Sequence, residues 1–99
     1  MNIKSQKEGT ELTFFLEGRI DSVTAPEIQS EVEKRLDGIT RLIFDFTAAT
    51  FLSSAGIRCL LWSEIQIKKQ QGTMTLRNLN DLLKEVLVLT GLDTTLNIE

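Results

Sequence analysis

The chain contains no histidine. That removes the commonest general acid–base group, the commonest protein metal ligand and the side chain that titrates near neutral pH. It has one cysteine, Cys59, so it can form no internal disulfide and has no Cys-x-x-Cys pair for redox or metal chemistry. No apolar run approaches the roughly 20 residues of a membrane helix. The opening Met1-Asn2-Ile3-Lys4 lacks the apolar stretch of a signal peptide, so no membrane insertion is expected and a reducing cytoplasm is. Basic residues are scarce: 11 against 14 acidic ones, a net charge of −3. Nucleic acid is therefore not an expected partner, because phosphate backbones are bound by clustered Lys and Arg. The nearest approach to a basic cluster, Lys68-Lys69, fits the end of a helix, where it complements the dipole. There is no Gly-x-x-x-x-Gly-Lys phosphate loop and no Gly-x-Ser-x-Gly elbow. With no histidine, and no lysine near Ser54 in sequence, the chain is not expected to be an enzyme, and Asp45 is left as the acid that could activate a serine. No metal and no cofactor are expected.

What is present is an ordinary globular composition, 41% hydrophobic and 25% charged over 99 residues. One domain spanning residues 1–99 is expected, with no internal repeat or linker. Asn2 to Gln6 reads as a short strand, Lys7-Glu8-Gly9-Thr10 as a turn, and Glu11 to Glu17 as a strand with Leu12, Phe14 and Leu16 on one side. Gly18 to Val23 reads as a connection. Thr24 is placed to cap a helix, with Pro26 in its first turn and Glu27 three residues on, as a capping box requires. That helix runs to about Leu36 on Ile28, Val32 and Leu36, and Asp37-Gly38 ends it. Arg41 to Phe46 is a strand with Leu42, Phe44 and Phe46 facing one way, and Thr47 to Leu52 reads as a loop. A helix from Ser54 to about Gln70 follows, closed by Gly72. Thr73 to Arg77 is a strand. Asn80 caps a last helix ending near Leu89 or Thr90, and Asp93 to Ile98 could add a short strand.

Strands alternating with helices imply right-handed crossovers and parallel pairing, with the N-terminal hairpin as an antiparallel edge. The strands are mostly apolar on one face, so the helices are expected mainly on that face. The fold class is α/β with a mixed sheet.

The most informative stretch is Asp45 to Arg58. A strand ends, and Ser53-Ser54 opens the longest helix. Amide groups at a helix start are unpaired and the dipole favours an anion there, so a phosphate on Ser54 would be tolerated and would place about −1.5 to −2 charges on the surface. On the local pattern alone, plain N-capping is the simpler explanation of a serine at that place, and the two roles are not exclusive. Ser53 could cap while Ser54 switches.

Four segments together resemble the STAS domain of anti-sigma factor antagonists: Gly18-Arg19-Ile20-Asp21-Ser22-Val23-Thr24-Ala25-Pro26, Leu42-Ile43-Phe44-Asp45-Phe46, Thr50-Phe51-Leu52-Ser53-Ser54-Ala55-Gly56-Ile57-Arg58 and Leu89-Thr90-Gly91-Leu92-Asp93. They span nearly the whole chain in the family's order. The resemblance implies a STAS-like mixed sheet packed by helices. Aligned on Gly56, it implies phosphorylation of Ser54, with Ser53 the second choice. Position 53 departs from the aspartate common in the family, and Asp45 matches an acidic residue the family places near the site. The implied mechanism is partner switching. The unphosphorylated protein binds an anti-sigma factor that is also a serine kinase, and sigma factor is released. The kinase, which brings its own nucleotide and magnesium, phosphorylates the antagonist, and a PP2C-type phosphatase resets it. The alternative implied use is a non-phosphorylated adaptor regulating a membrane-transport ATPase. A monomer or weak dimer is expected.

Helical spacing adds a surface. Ile57, Leu61 and Ile65 form one row, expected on the core side beside Leu60. Ser54, Arg58 and Trp62 form another, expected to meet the partner because Arg and Trp recur at binding hot spots. Trp62 could instead pack beneath a neighbouring element. Asp21 and Ser22 either contact the partner or simply form a turn in which Asp21 binds its own backbone. Cys59 reads as a packing residue. The expected partner surface is Asp21, Ser22, Asp45, Ser53, Ser54, Arg58 and Trp62.

Overall fold

The structure, a computed structural model, describes residues 3–99. Its elements are β1 (Lys4–Glu8), β2 (Glu11–Ile20), α1 (Ala25–Arg35), β3 (Arg41–Leu52), α2 (Ser54–Lys69), β4 (Thr73–Arg77), α3 (Asp81–Leu89) and β5 (Asn97–Ile98). The strands form one sheet in the order β1-β2-β3-β4-β5. Only the β1–β2 pair is antiparallel. The first strand was expected to begin at Asn2, which lies outside the described residues. It runs on to Glu8, so the turn shortens to Gly9-Thr10 between the paired Glu8 and Glu11. The final strand is two residues long instead of the six expected.

Leu12, Phe14 and Leu16 of β2, Leu42, Phe44 and Phe46 of β3, and Met74 and Leu76 of β4 face the helices. They join Ile28 and Val32 of α1, Leu60 and Ile67 of α2, and Leu83 and Leu87 of α3 in a single buried core. Phe14 and Phe44 stack across the β2–β3 register at 5.8 Å between ring centroids. All three helices thus cover one face. The other face is not left wet, since the cross-strand row Thr13–Ile43–Thr75 is also buried.

Two expectations fail where β2 and β3 continue. Gly18–Ile20 is strand, not connection, and Thr47–Leu52 is strand, not loop. The register shifts between Phe15 and Glu17 and again between Gly18 and Arg19, and each time β3 contributes one residue more than β2. The extra residues change the spacing of buried positions in β3 from Leu42, Phe44 and Phe46 to Ala49 and Leu52. Bulges of this kind break the two-residue alternation by which a strand is read from sequence.

The capping expectation for α1 is also corrected. Thr24 has helical backbone angles and makes no side-chain cap bond. Its hydroxyl turns back, accepting from the Asp21 amide at 2.9 Å and donating to the Arg19 carbonyl at 2.9 Å. Asp21 takes over, its Oδ1 accepting from the amides of Val23 and Thr24 at 3.0 and 3.2 Å. At the far end of α2, Gln71, not Gly72, adopts the left-handed conformation, at φ 62°. Gly72 is needed for closeness: a Cβ there would lie 2.7 Å from the Thr40 carbonyl oxygen and from Ile67.

Candidate functional site: the start of α2

Ser53 caps α2, its hydroxyl accepting from the Gly56 amide at 3.3 Å. Its own amide donates to the Ile20 carbonyl at 2.9 Å, which ties the start of α2 to the end of β2. Gly56 permits this approach. A Cβ at that position would lie 2.8 Å from the Ile20 carbonyl oxygen and 2.7 Å from Leu52 Cδ1. The residue after Ile20 is Asp21, so the loop before α1 and the first turn of α2 are held side by side.

This anchoring sets the rotation of α2 and corrects its expected core row. The buried positions are Gly56, Cys59, Leu60, Ser63 and Ile67. Ile57 and Leu61 are only half-buried, and Ile65 is 56% exposed. A serine can sit in the core at 63 because its hydroxyl donates to the Cys59 carbonyl at 2.8 Å. Cys59 packs against α1, with Sγ 3.7 Å from the Ala25 carbonyl oxygen. Burial pushes its thiol up to about 11, the Ser63 hydroxyl opposing. It is therefore a protonated packing group at neutral pH.

Ser54 is exposed and its hydroxyl makes no hydrogen bond among the described residues. Arg58 is exposed and Trp62 half-buried. Arg58 and Trp62, with Cys59 below them, form one wall of a groove of about 380 Å³, and Ser22, Ala25, Pro26 and Gln29 form the other. The structure thus brings Ser22, Arg58 and Trp62 together beside Ser53 and Ser54. Asp21 adjoins them, but its carboxylate is engaged by its own loop. The amides of Thr24 and Val23, and then Arg19 at 3.6 Å, hold it below the usual carboxylate range.

Asp45 does not join this cluster. It lies between Phe44 and Phe46 and so points to the helix-free face. It is seven residues before the end of an extended strand, on the order of 20 Å along the chain from the start of α2. The residue is 6% exposed. It accepts from the Thr47 amide at 2.9 Å, the Thr47 hydroxyl at 2.6 Å, Asn78 Nδ2 at 3.0 Å and Arg77 Nε at 3.3 Å. Burial alone would raise its pKa, but these bonds together outweigh it and the net shift is downward. Asn78 is held at φ 61° where β4 turns toward α3. Asp45 is a fastener between β3 and that turn.

The local sequence pattern gives no signal for three exposed residues beside the site, Arg19, Val23 and Phe51. The Arg19 guanidinium sits 4.1 Å above the Phe51 ring, which is 36% exposed, and Val23 is 73% exposed. The register pairs Arg19 with Phe51, a pairing hidden while both segments read as loops. Gln29 could not be assigned to the groove without knowing how α1 lies against α2.

The fold and site define a class: a small mixed-sheet domain, helices on one face, presenting a serine-capped helix start and an adjoining groove. The sequence model described as the STAS domain matches residues 2–99, and the chain belongs to that family. BtrV, a proposed anti-sigma factor antagonist of Bordetella bronchiseptica, is 28% identical over 92 residues, which cover 92% of this chain and 79% of that protein. The anti-sigma-B factor antagonist of Listeria monocytogenes is 27% identical, covering 100% of this chain and 90% of the relative. Among solved structures, the anti-sigma factor antagonist SpoIIAA in its unphosphorylated form aligns over 99% of this chain and 87% of its own, with a TM-score of 0.79 and 15% identity. The phosphorylated form of SpoIIAA, a Bacillus cell fate determinant, aligns over 99% and 91%, at 0.77 and 17%. Among the described residues no helix is long and apolar enough to cross a membrane.

Proposed function

We propose that this chain is an anti-sigma factor antagonist, a single domain that works in the cytoplasm by partner switching on Ser54. The observation that carries the reading is the exposed Ser54 hydroxyl, free of hydrogen bonds among the described residues, while its neighbour Ser53 does the capping. The unmodified protein binds an anti-sigma factor serine kinase over the α2 start and the groove, and sigma factor is released. The kinase then transfers the γ-phosphoryl group of its ATP to Ser54 Oγ. The bond from that phosphorus to the ADP oxygen breaks, the Oγ–P bond forms, and the hydroxyl proton goes to a base on the kinase. The added dianion meets a docked surface, where an uncompensated buried charge is strongly unfavourable, and the complex separates. A PP2C-type phosphatase hydrolyses the ester and restores the serine. This chain is ligand and substrate, with no chemistry of its own.

The names of the two curated relatives support the partner class, and the two SpoIIAA structures support a fold that accommodates both states. The test is a pull-down from native extract with wild type, Ser54→Ala and Ser54→Asp as baits, the captured proteins being identified by mass spectrometry. An ATP-binding serine kinase held by the first two and lost by the third is the expected result. Equal capture of one partner by all three overturns the switch in favour of a constitutive adaptor, for instance on a transport ATPase.

A further inference from the structure

Arg58 stands apart from the other arginines. Arg19, Arg35, Arg41 and Arg77 each pair with a carboxylate. Arg58 forms no ion pair or hydrogen bond among the described residues. Its helical neighbours at three and four positions, Ser54, Ala55, Leu61 and Trp62, include no acid. Nor does the facing wall of the groove, Ser22, Ala25, Pro26 and Gln29. A guanidinium with five donors in a rigid fork and no acceptor of its own therefore stands at the mouth of a groove without acids. Four residues back on the same helix face is Ser54, also exposed. An anion placed four residues N-terminal to a cation is the favourable orientation for a helical ion pair.

We propose that Arg58 is shared between two anions. While Ser54 is unmodified, Arg58 receives an Asp or Glu carboxylate that the partner presents over the α1–α2 groove. Once Ser54 carries a phosphate, Arg58 turns back by one helical turn and pairs with it. Phosphorylation then acts twice, adding charge at the docked surface and withdrawing the cation that held the partner. This rests on Ser54 being the modified residue, as proposed above. Arg–phosphate pairs are charge-assisted and frequently bidentate, so the intramolecular pair competes well with a carboxylate brought by a second molecule.

The test installs phosphoserine at position 54 of the full chain and follows the phosphate by phosphorus NMR through its second ionisation. The second pKa in wild type is expected to lie below that in Arg58→Gln by about 0.3 units or more, with Arg58→Lys between them. Trp62, the sole tryptophan, lines the groove with Arg58. Its fluorescence should change on phosphorylation in wild type and not in Arg58→Gln. Superimposable phosphate titrations of wild type and Arg58→Gln would overturn the intramolecular pair. In the pull-down, unmodified Arg58→Gln is expected to hold the kinase about tenfold more weakly, and retention equal to wild type would overturn the partner carboxylate. Failure of the Ser54 reading looks different: all the Ser54 baits then behave alike, while the phosphorus titration still reports on Arg58.

Discussion

Asp45 and Ser54 are two polar residues of one segment, and the fold treats them in opposite ways. Asp45 is buried and its two oxygens accept four hydrogen bonds from Thr47, Arg77 and Asn78. Ser54 is exposed and makes no side-chain bond among the described residues. A group whose bonding capacity is taken up by its own chain has little left for a partner. A group held at a fixed place with its capacity unused is available to one. The difference also separates two readings of any polar residue near a proposed switch (structural fastener or contact) by bond accounting, without reference to its position in a motif.

The first way to break the comparison is to loosen the frame that fixes Ser54. Gly56→Ala would bring a Cβ within 2.8 Å of the Ile20 carbonyl oxygen and 2.7 Å of Leu52. The leucine can move, but the backbone oxygen cannot without disturbing the bond from the Ser53 amide. A loss of about 3 kcal/mol is expected in chemical denaturation, the upper part of the usual overpacking range. A variant as stable as wild type would mean that α2 is not seated against β2 in this way.

The second concerns Asp45 itself. Asp45→Asn removes the charge and one acceptor from a buried network, and a loss of about 2 kcal/mol is expected. Because the bonds from Thr47, Asn78 and Arg77 outweigh desolvation, the folded pKa of Asp45 lies below its unfolded value. Its contribution is therefore fully present above the unfolded value of about 3.9, and is lost as the pH falls through the lower folded value. The stability gap between wild type and Asp45→Asn should accordingly narrow on acidification below pH 4, as read from denaturant midpoints. Partner capture per folded molecule should be unchanged. Loss of capture by a well-folded Asp45→Asn would return Asp45 to the contact surface.

Much of this was legible from local chemistry. The limits of β4, α2 and α3 follow from capping residues and periodicity, and Asn80 does cap α3, accepting from the Leu83 amide at 2.9 Å. The one-faced packing follows from the alternation of Leu12, Phe14 and Leu16. What escaped has a common physical origin in β3. Its two extra residues relative to β2 turn a twelve-residue strand into a pattern that reads as six of strand and six of loop. That reading ended the strand just after Asp45, which agreed with the family resemblance that places an acidic residue near the site. The rotation of α2 escaped for a related reason. Ile57, Leu61 and Ile65 are the more apolar row, but the requirement for Gly56 against the Ile20 carbonyl decides which face turns inward. Close backbone approach leaves no hydrophobic signal.

The smallest expected effect is the sharpest test of the comparison, because it separates adjacent serines. Ser53→Ala removes the acceptor for the Gly56 amide, and a loss of about 1 kcal/mol is expected, as for other N-caps. Ser54→Ala removes a hydroxyl with no partner among the described residues and substitutes a better helix former, so its stability should stay within about 0.5 kcal/mol of wild type and could rise. The asymmetry is what a surface switch needs. A residue that is modified and restored repeatedly cannot also hold the fold, or each cycle would change how much folded protein there is. With the cap on Ser53, the phosphorylation proposed for Ser54 would leave the first bond of α2 in place. Denaturation curves of the two variants decide it. If Ser54→Ala loses as much as Ser53→Ala, the second serine is structural after all, and the division of labour between them falls.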